Sequence, residues 1–141
     1  MTDSRIALDD FNALMEEKLP MAAWLGIRAE SIGQGVATMR LAFKPELTRP
    51  GGTIAGPALM ALADACMYAV VLGAVGREEL ALTTNLNVNF LRRPPAADVL
   101  AEGRVLKLGK RLAVSEVEMY AADDRELVCH VTGTYSIPPQ G

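Results

Sequence analysis

The side chains that most often carry metals, redox chemistry or imidazole catalysis are scarce in this chain. It has one histidine, His130, and two cysteines, Cys66 and Cys129, with neither metal nor redox spacing. The cysteines read as small buried hydrophobes in a reducing compartment, and no metal site is expected. Positive charge is not in excess either: 14 Lys and Arg against 17 Asp and Glu leave a net charge of -3. That balance argues against a nucleic-acid partner held through phosphates, while leaving room for a local basic patch around one anionic ligand. The first residues, MTDSRIALDDFNALMEEK, are acidic and lack an apolar signal core, so a cytoplasmic protein is expected. Internal repeats and low-complexity segments are missing as well. At 141 residues, half of them hydrophobic, the chain reads as one domain, 1–141, with an N-terminal helical segment over 1–24.

What the chain does have is a long apolar run with one charge in it. From position 53 to 76 it reads TIAGPALMALADACMYAVVLGAVG, and Asp64 is the only charged residue. Burying an isolated carboxylate is costly, so Asp64 must be paired, neutralised or kept for chemistry. The run is nominally long enough for a membrane span. Its Ala and Gly content, the central acid and the lack of flanking cationic anchors favour instead a helix buried on most sides of a soluble fold, and no membrane partner.

Apolar spacing predicts a helix over residues 9–19, capped by Asp9 or Asp10, then a short turn over 21–26 ending at Gly26. Strands follow over 27–31 and 36–43 around Gly33-Gln34-Gly35, with Ala37, Met39 and Leu41 on one face. A polar loop over 44–52 feeds the long helix, 57–75, where Pro57 suits the first turn. Four more strands are expected over 81–91, 98–107, 111–121 and 126–137. This order implies an α+β architecture, an antiparallel sheet of five to six strands curled around one central helix. Ala58, Ala61, Ala65 and Ala69 would let that sheet approach closely.

The layout, with the segments LTRPGGTIAGPALMALADACMYAV and TTNLNVNFLRRP, resembles the hotdog-fold acyl-CoA thioesterases of the phenylacetyl-CoA thioesterase (PaaI-like) family over residues 25–137. The family pattern is roughly Asn-x-x-Gly-x-x-His-Gly-Gly, with an acid eight residues after the triplet's first glycine. Gly52, Gly56 and Asp64 fall on the first glycine, the triplet glycine and the acid. Arg49 stands at the family's Asn, Ala55 at its His and Pro57 at its last glycine. The resemblance implies hydrolysis of an acyl-CoA, with a medium-chain or aromatic acyl group. It implies no cofactor beyond the coenzyme A of the substrate, a site shared across a homodimer, and dimers paired into a homotetramer.

Thioester hydrolysis asks little of a protein. A thiol with a pKa near 8.5 leaves readily, so one acid without a histidine can suffice. The Gly56 N–H, at the positive end of the helix, would polarise the carbonyl, and Asp64 would activate water or attack the carbon itself. Gly56 and Asp64 are eight residues apart, roughly 12 Å along one helix. A carbonyl must lie about 3 Å from both groups, so one helix cannot supply both. Two antiparallel helices in a homodimer can.

Thr83 lies where the family often has a Ser or Thr bonded to the carboxylate, a placement that β propensity alone also explains. Asn85, its neighbour on the same strand face by simple alternation, meets substrate or serves edge hydrogen bonding. Arg92 and Arg93, with Lys107, Lys110 and Arg111 around Gly109, are candidate phosphate contacts or solvated loop charges. Arg49 is a candidate partner for the substrate, or for an acid elsewhere. His130 reads as structural, and with no histidine near the helix a hotdog acyl dehydratase is disfavoured. Met60 and Tyr68 flank Asp64 at helical spacing and read as core or acyl-pocket wall. The rival from another class is a non-catalytic acyl-CoA-binding module, suggested by Ala55 and Arg49.

Overall fold

The computed structural model describes residues 3–139, and its elements follow the hydrophobic pattern closely. Helices α1 (Leu8–Lys18) and α2 (Pro20–Leu25) lead into strands β1 (Ile27–Gly33) and β2 (Val36–Leu41). Helix α3 (Gly56–Val75) comes next, then β3 (Leu82–Phe90), β4 (Val99–Leu108), β5 (Leu112–Ala121) and β6 (Leu127–Ser136). All pairings are antiparallel, in one six-stranded sheet of order β1-β2-β4-β5-β6-β3. The α+β hotdog arrangement is therefore present, with six strands around α3.

Fourteen of the twenty residues of α3 are buried, so the run long and apolar enough for a membrane is the core of this fold. The concave sheet face that receives it alternates strictly: Ala113, Ser115, Val117, Met119 and Ala121 point inward along β5. Close approach is built from both sides. Besides the helix alanines, the sheet places glycines against it; a Cβ on Gly133 would fall 2.7 Å from Met67 Sδ, and one on Gly103 2.8 Å from Cys66 Sγ.

Some local expectations are corrected. Helix α1 starts from Ala7, with no side-chain cap, and Asp9 and Asp10 sit inside its first turn, where they favour the helix dipole instead. A single 3₁₀ turn, Pro45–Leu47, interrupts the loop before α3. His130, read as structural, faces away from α3: its Nε2 lies 2.9 Å from Glu116 Oε1, and Glu116 also pairs with Arg104. These are convex-face contacts.

The two sheet edges differ. On β1, the side-chain amide of Asn12 donates to the Ala29 carbonyl at 3.0 Å and accepts its N–H at 2.9 Å, as a neighbouring strand would. On β3, no further described strand pairs with the outer side, and Leu82, Phe90 and Leu91 are 65%, 53% and 54% exposed.

Both cysteines are buried. Burial pushes the Cys66 thiol from 9.0 up to about 12 and that of Cys129 up to about 11. In the unfolded chain both ionise near the ordinary value, so their protonated burial stabilises the fold fully below about pH 9. That stability is lost as pH rises towards 11 to 12. Urea midpoints are expected to fall steeply between pH 9 and 11, and less steeply in Cys66→Ala. A midpoint that stays level across that interval would show that neither thiol is shielded.

Candidate active site

The loop ahead of α3 folds back on itself before the helix begins. Thr48 and Ile54 bridge, the Arg49 N–H donates to the Thr53 carbonyl at 2.9 Å, and the Gly52 N–H donates to the Arg49 carbonyl at 2.9 Å. Gly51 and Gly52 close this turn at φ of 100° and 81°, a backbone that side chains rarely adopt. The result presents Arg49 beside the start of α3.

At that start the backbone donors are sharply edited. Ala55, the residue before the helix, offers no side-chain cap. Pro57 has no N–H, and the Ala58 and Leu59 amides turn back onto the Ala55 carbonyl at 3.1 and 3.4 Å. Among the described residues nothing accepts the Gly56 N–H. One donor, at the positive end of a twenty-residue helix, is left free.

Two cavities flank it. The first, about 630 Å³, is lined by Gly56, Leu59 and Phe90 together with Arg49, Arg92 and Arg93. Arg92 pairs with Asp124 at 3.2 Å, whereas Arg49 and Arg93 have no ion pair among the described residues. The second, about 530 Å³, is mostly apolar, with Met21, Trp24, Leu25, Pro57, Ala58 and Ala61 in its wall. The candidate cations are thus divided. Arg49, Arg92 and Arg93 share one cavity, while Lys110 and Arg111 lie at the far end of the sheet. Strand β6 runs from Cys129, beside Phe90, to Ser136, beside Leu112, a distance of about 23 Å. Arg111 Nε there donates to the Ile137 carbonyl at 3.3 Å.

Asp64 is half-buried, two turns into α3, and one of its oxygens is doubly held. Thr83 Oγ1 donates to Asp64 Oδ1 at 2.5 Å, and Tyr135 Oη lies 2.8 Å from the same oxygen and 2.9 Å from the Asp64 carbonyl. Oδ2 accepts nothing among the described residues. Burial, and then the neighbouring Asp64 charge, push the Tyr135 phenol well above the ordinary tyrosine range, so it remains a donor. Asp64 therefore has two hydroxyl partners and one free oxygen.

Thr83 meets Asp64, but Asn85 does not share its face. A bulge at Thr84 separates the pairs Thr83–Tyr135 and Asn85–Thr134. Tyr135 points to the core and Thr134 away from it, so the extra residue turns Asn85 to the convex side. Tyr135 is the residue that strand alternation alone did not single out. Its signal was an inward phenol on the last strand, which needs a polar partner inside the core. Among the described residues no three His, Cys, Asp or Glu side chains converge on a possible metal position.

Comparison with known proteins places this geometry in context. The profile of the thioesterase superfamily matches residues 51–128. A crystal structure from a Silicibacter species, assigned as a thioesterase, is similar with a TM-score of 0.87 and 38% identity, covering 98% of this chain and 96% of that one. A mutant of the phenylacetic acid degradation protein PaaI from Thermus thermophilus is similar with a TM-score of 0.76 and 25% identity, over 84% of this chain and 99% of that one. An assigned esterase of Sulfurisphaera tokodaii is 33% identical over 80% of this chain and 84% of its own length.

Proposed function

From a chain that belongs to the thioesterase superfamily, and is thus a thioester hydrolase, we propose a specific reaction: hydrolysis of an acyl-CoA to free acid and coenzyme A at a site built from two copies. The observation that carries it is the combination of one free amide, on Gly56, with one carboxylate whose second oxygen is free, on Asp64. They stand eight residues apart on the same helix, about 12 Å in rise. Neither can serve the carbonyl held by the other within one chain. Antiparallel pairing of two β3 edges would set the α3 helices side by side in opposite directions. Gly56 of one copy then meets Asp64 of the other, and the exposed Leu82 and Phe90 are covered.

In this arrangement the thioester oxygen accepts from the Gly56 N–H. Asp64 Oδ2 takes a proton from water as the water oxygen bonds to the carbonyl carbon, and the resulting oxyanion rests on the same amide. Collapse breaks the C–S bond; the thiolate leaves with the electron pair and recovers the proton from Asp64. Direct attack by Oδ2 uses the same free oxygen, with water hydrolysing the anhydride afterwards. Guanidinium groups of Arg49, Arg92 and Arg93 hold the phosphates of coenzyme A in the larger cavity. Lys110 and Arg111, far from these in one chain, come to the same end of the paired sheet as Arg92 of the other copy, with β6 and β3 between them. The apolar cavity beside Ala55, a medium-sized pocket with Trp24 in its wall, takes a medium-chain or aromatic acyl group.

The test is thiol release from a panel of short, medium-chain, long and aromatic acyl-CoAs, run in parallel with the matching acyl-pantetheines, which lack the nucleotide phosphates. Arg93→Ala is expected to raise KM for acyl-CoA about tenfold, the worth of one charge-assisted contact. KM for the acyl-pantetheine should not change. Equal KM values for both substrates in the wild-type protein would empty the arginine cavity of its role. Binding of acyl-CoA without thiol release would favour a module that has lost catalysis with the family's His and Asn, here Ala55 and Arg49.

A further inference from the structure

We propose that Tyr135 is a positioning residue: its hydroxyl, together with that of Thr83, locks Asp64 Oδ1 so that Oδ2 alone faces the reacting atoms. The inference rests on the assignment of Asp64 as the reacting carboxylate. A free aspartate presents either oxygen, because its terminal torsion is broad and twofold. Two donors on one oxygen remove that equivalence. Thr83 Oγ1 and Tyr135 Oη reach Oδ1 at 2.5 and 2.8 Å from neighbouring strands, where the two residues are direct cross-strand partners.

The two hydroxyls are not equivalent supports. Thr83 belongs to β3, whose outer side gains a partner strand only when two copies pair. Tyr135 belongs to β6, bonded on both sides by β5 and β3. Tyr135 is 4% exposed, and its ring tilts against that of Tyr68, with centroids 6.2 Å apart; Tyr68 in turn packs on Phe11 at 5.8 Å. The Tyr68 hydroxyl is occupied elsewhere, donating to the Glu79 carbonyl at 2.9 Å. Tyr135 therefore gives Asp64 a donor fixed by the core.

The phenol has one proton and two acceptors in reach, the Asp64 carbonyl and Oδ1. The carbonyl belongs to a mid-helix residue and already serves the helix ladder, so the charged carboxylate is the better acceptor. During the reaction Oδ2 gains and returns a proton while Oδ1 keeps both hydroxyl bonds. Tyr135 touches no substrate atom and exchanges no proton with it. It decides which oxygen does so.

Removing the hydroxyl and keeping the ring isolates this role. Tyr135→Phe is expected to lower kcat for acyl-CoA hydrolysis about tenfold, the worth of one hydrogen bond to a charged group. KM should stay within about twofold and the sedimentation profile should stay that of the wild type, with the thermal midpoint lowered by a few degrees for the lost hydrogen bond. In an Asp64→Asn background the same change should cost nothing further, because the oxygen being selected no longer takes a proton. Wild-type kcat in Tyr135→Phe beside an inactive Asp64→Asn would overturn the positioning role and leave the Asp64 assignment standing. Equal losses in both backgrounds would make Tyr135 structural and overturn it equally. Wild-type turnover in Asp64→Asn would instead remove the assignment on which the inference rests.

Discussion

Replacing Asp64 with asparagine is expected to lower kcat for acyl-CoA hydrolysis by about 10³-fold, within the range that general-base catalysis supplies. The substitution is nearly isosteric. Its Oδ1 can still accept from Thr83 and Tyr135, so the helix, the two hydroxyls and the flanking cavities keep their places. What is lost is the ability of the second terminal atom to take a proton or attack carbon. A thermal melt close to that of the wild type, alongside missing thiol release, separates chemistry from folding. Asp64→Ala is a less discriminating variant, since it also strips two hydroxyls of their acceptor. Turnover within tenfold of wild type in Asp64→Asn would mean that another group carries the reaction.

The second large effect concerns Gly56. Proline at this position removes the free N–H and sets a Cβ 3.4 Å from Phe90 Cζ, an ordinary van der Waals contact. Proline is well tolerated in the first helical position, and Ala55 already has the extended backbone, φ -72° and ψ 145°, that a following proline requires. A loss of about 10²- to 10³-fold in kcat is expected, the worth of one oxyanion donor. Neither variant alone shows which chain supplies which group, but mixing them does. If the amide and the carboxylate come from different copies, a mixed dimer of Gly56→Pro and Asp64→Asn chains has one site with both groups intact. Random reassociation of the two inactive proteins then restores about a quarter of wild-type activity, because half the dimers are mixed and each has one working site. No recovery, with mixed dimers verified by differential tags, would put both groups in one chain.

Much of this was legible in the residues. The single acid in an apolar run, the glycine and proline at the helix start and the eight-residue spacing follow from covalent chemistry and helix rise. The strands followed from alternation, most cleanly in β5. Three things were not legible, each for a physical reason. The Thr84 bulge is a backbone event with no side-chain signature, so Asn85 seemed to share a face with Thr83. Tyr135 meets Asp64 across 71 positions, a contact that register alone creates. The basic residues looked like one set because sequence shows charge without showing which end of a strand carries it. The missing cap of α1 is a smaller case of the same kind: Asp9 and Asp10 sit just past the cap position, within the first turn, where they serve the dipole.

Asn12 has a consequence beyond its own two hydrogen bonds. A ribbon of strands with two bare margins can grow without limit, each newcomer offering a fresh rim to the next. Here one margin is partly blocked, at Ala29, by a side-chain amide within the same chain, which biases an assembly grown through β3 to stop after one addition.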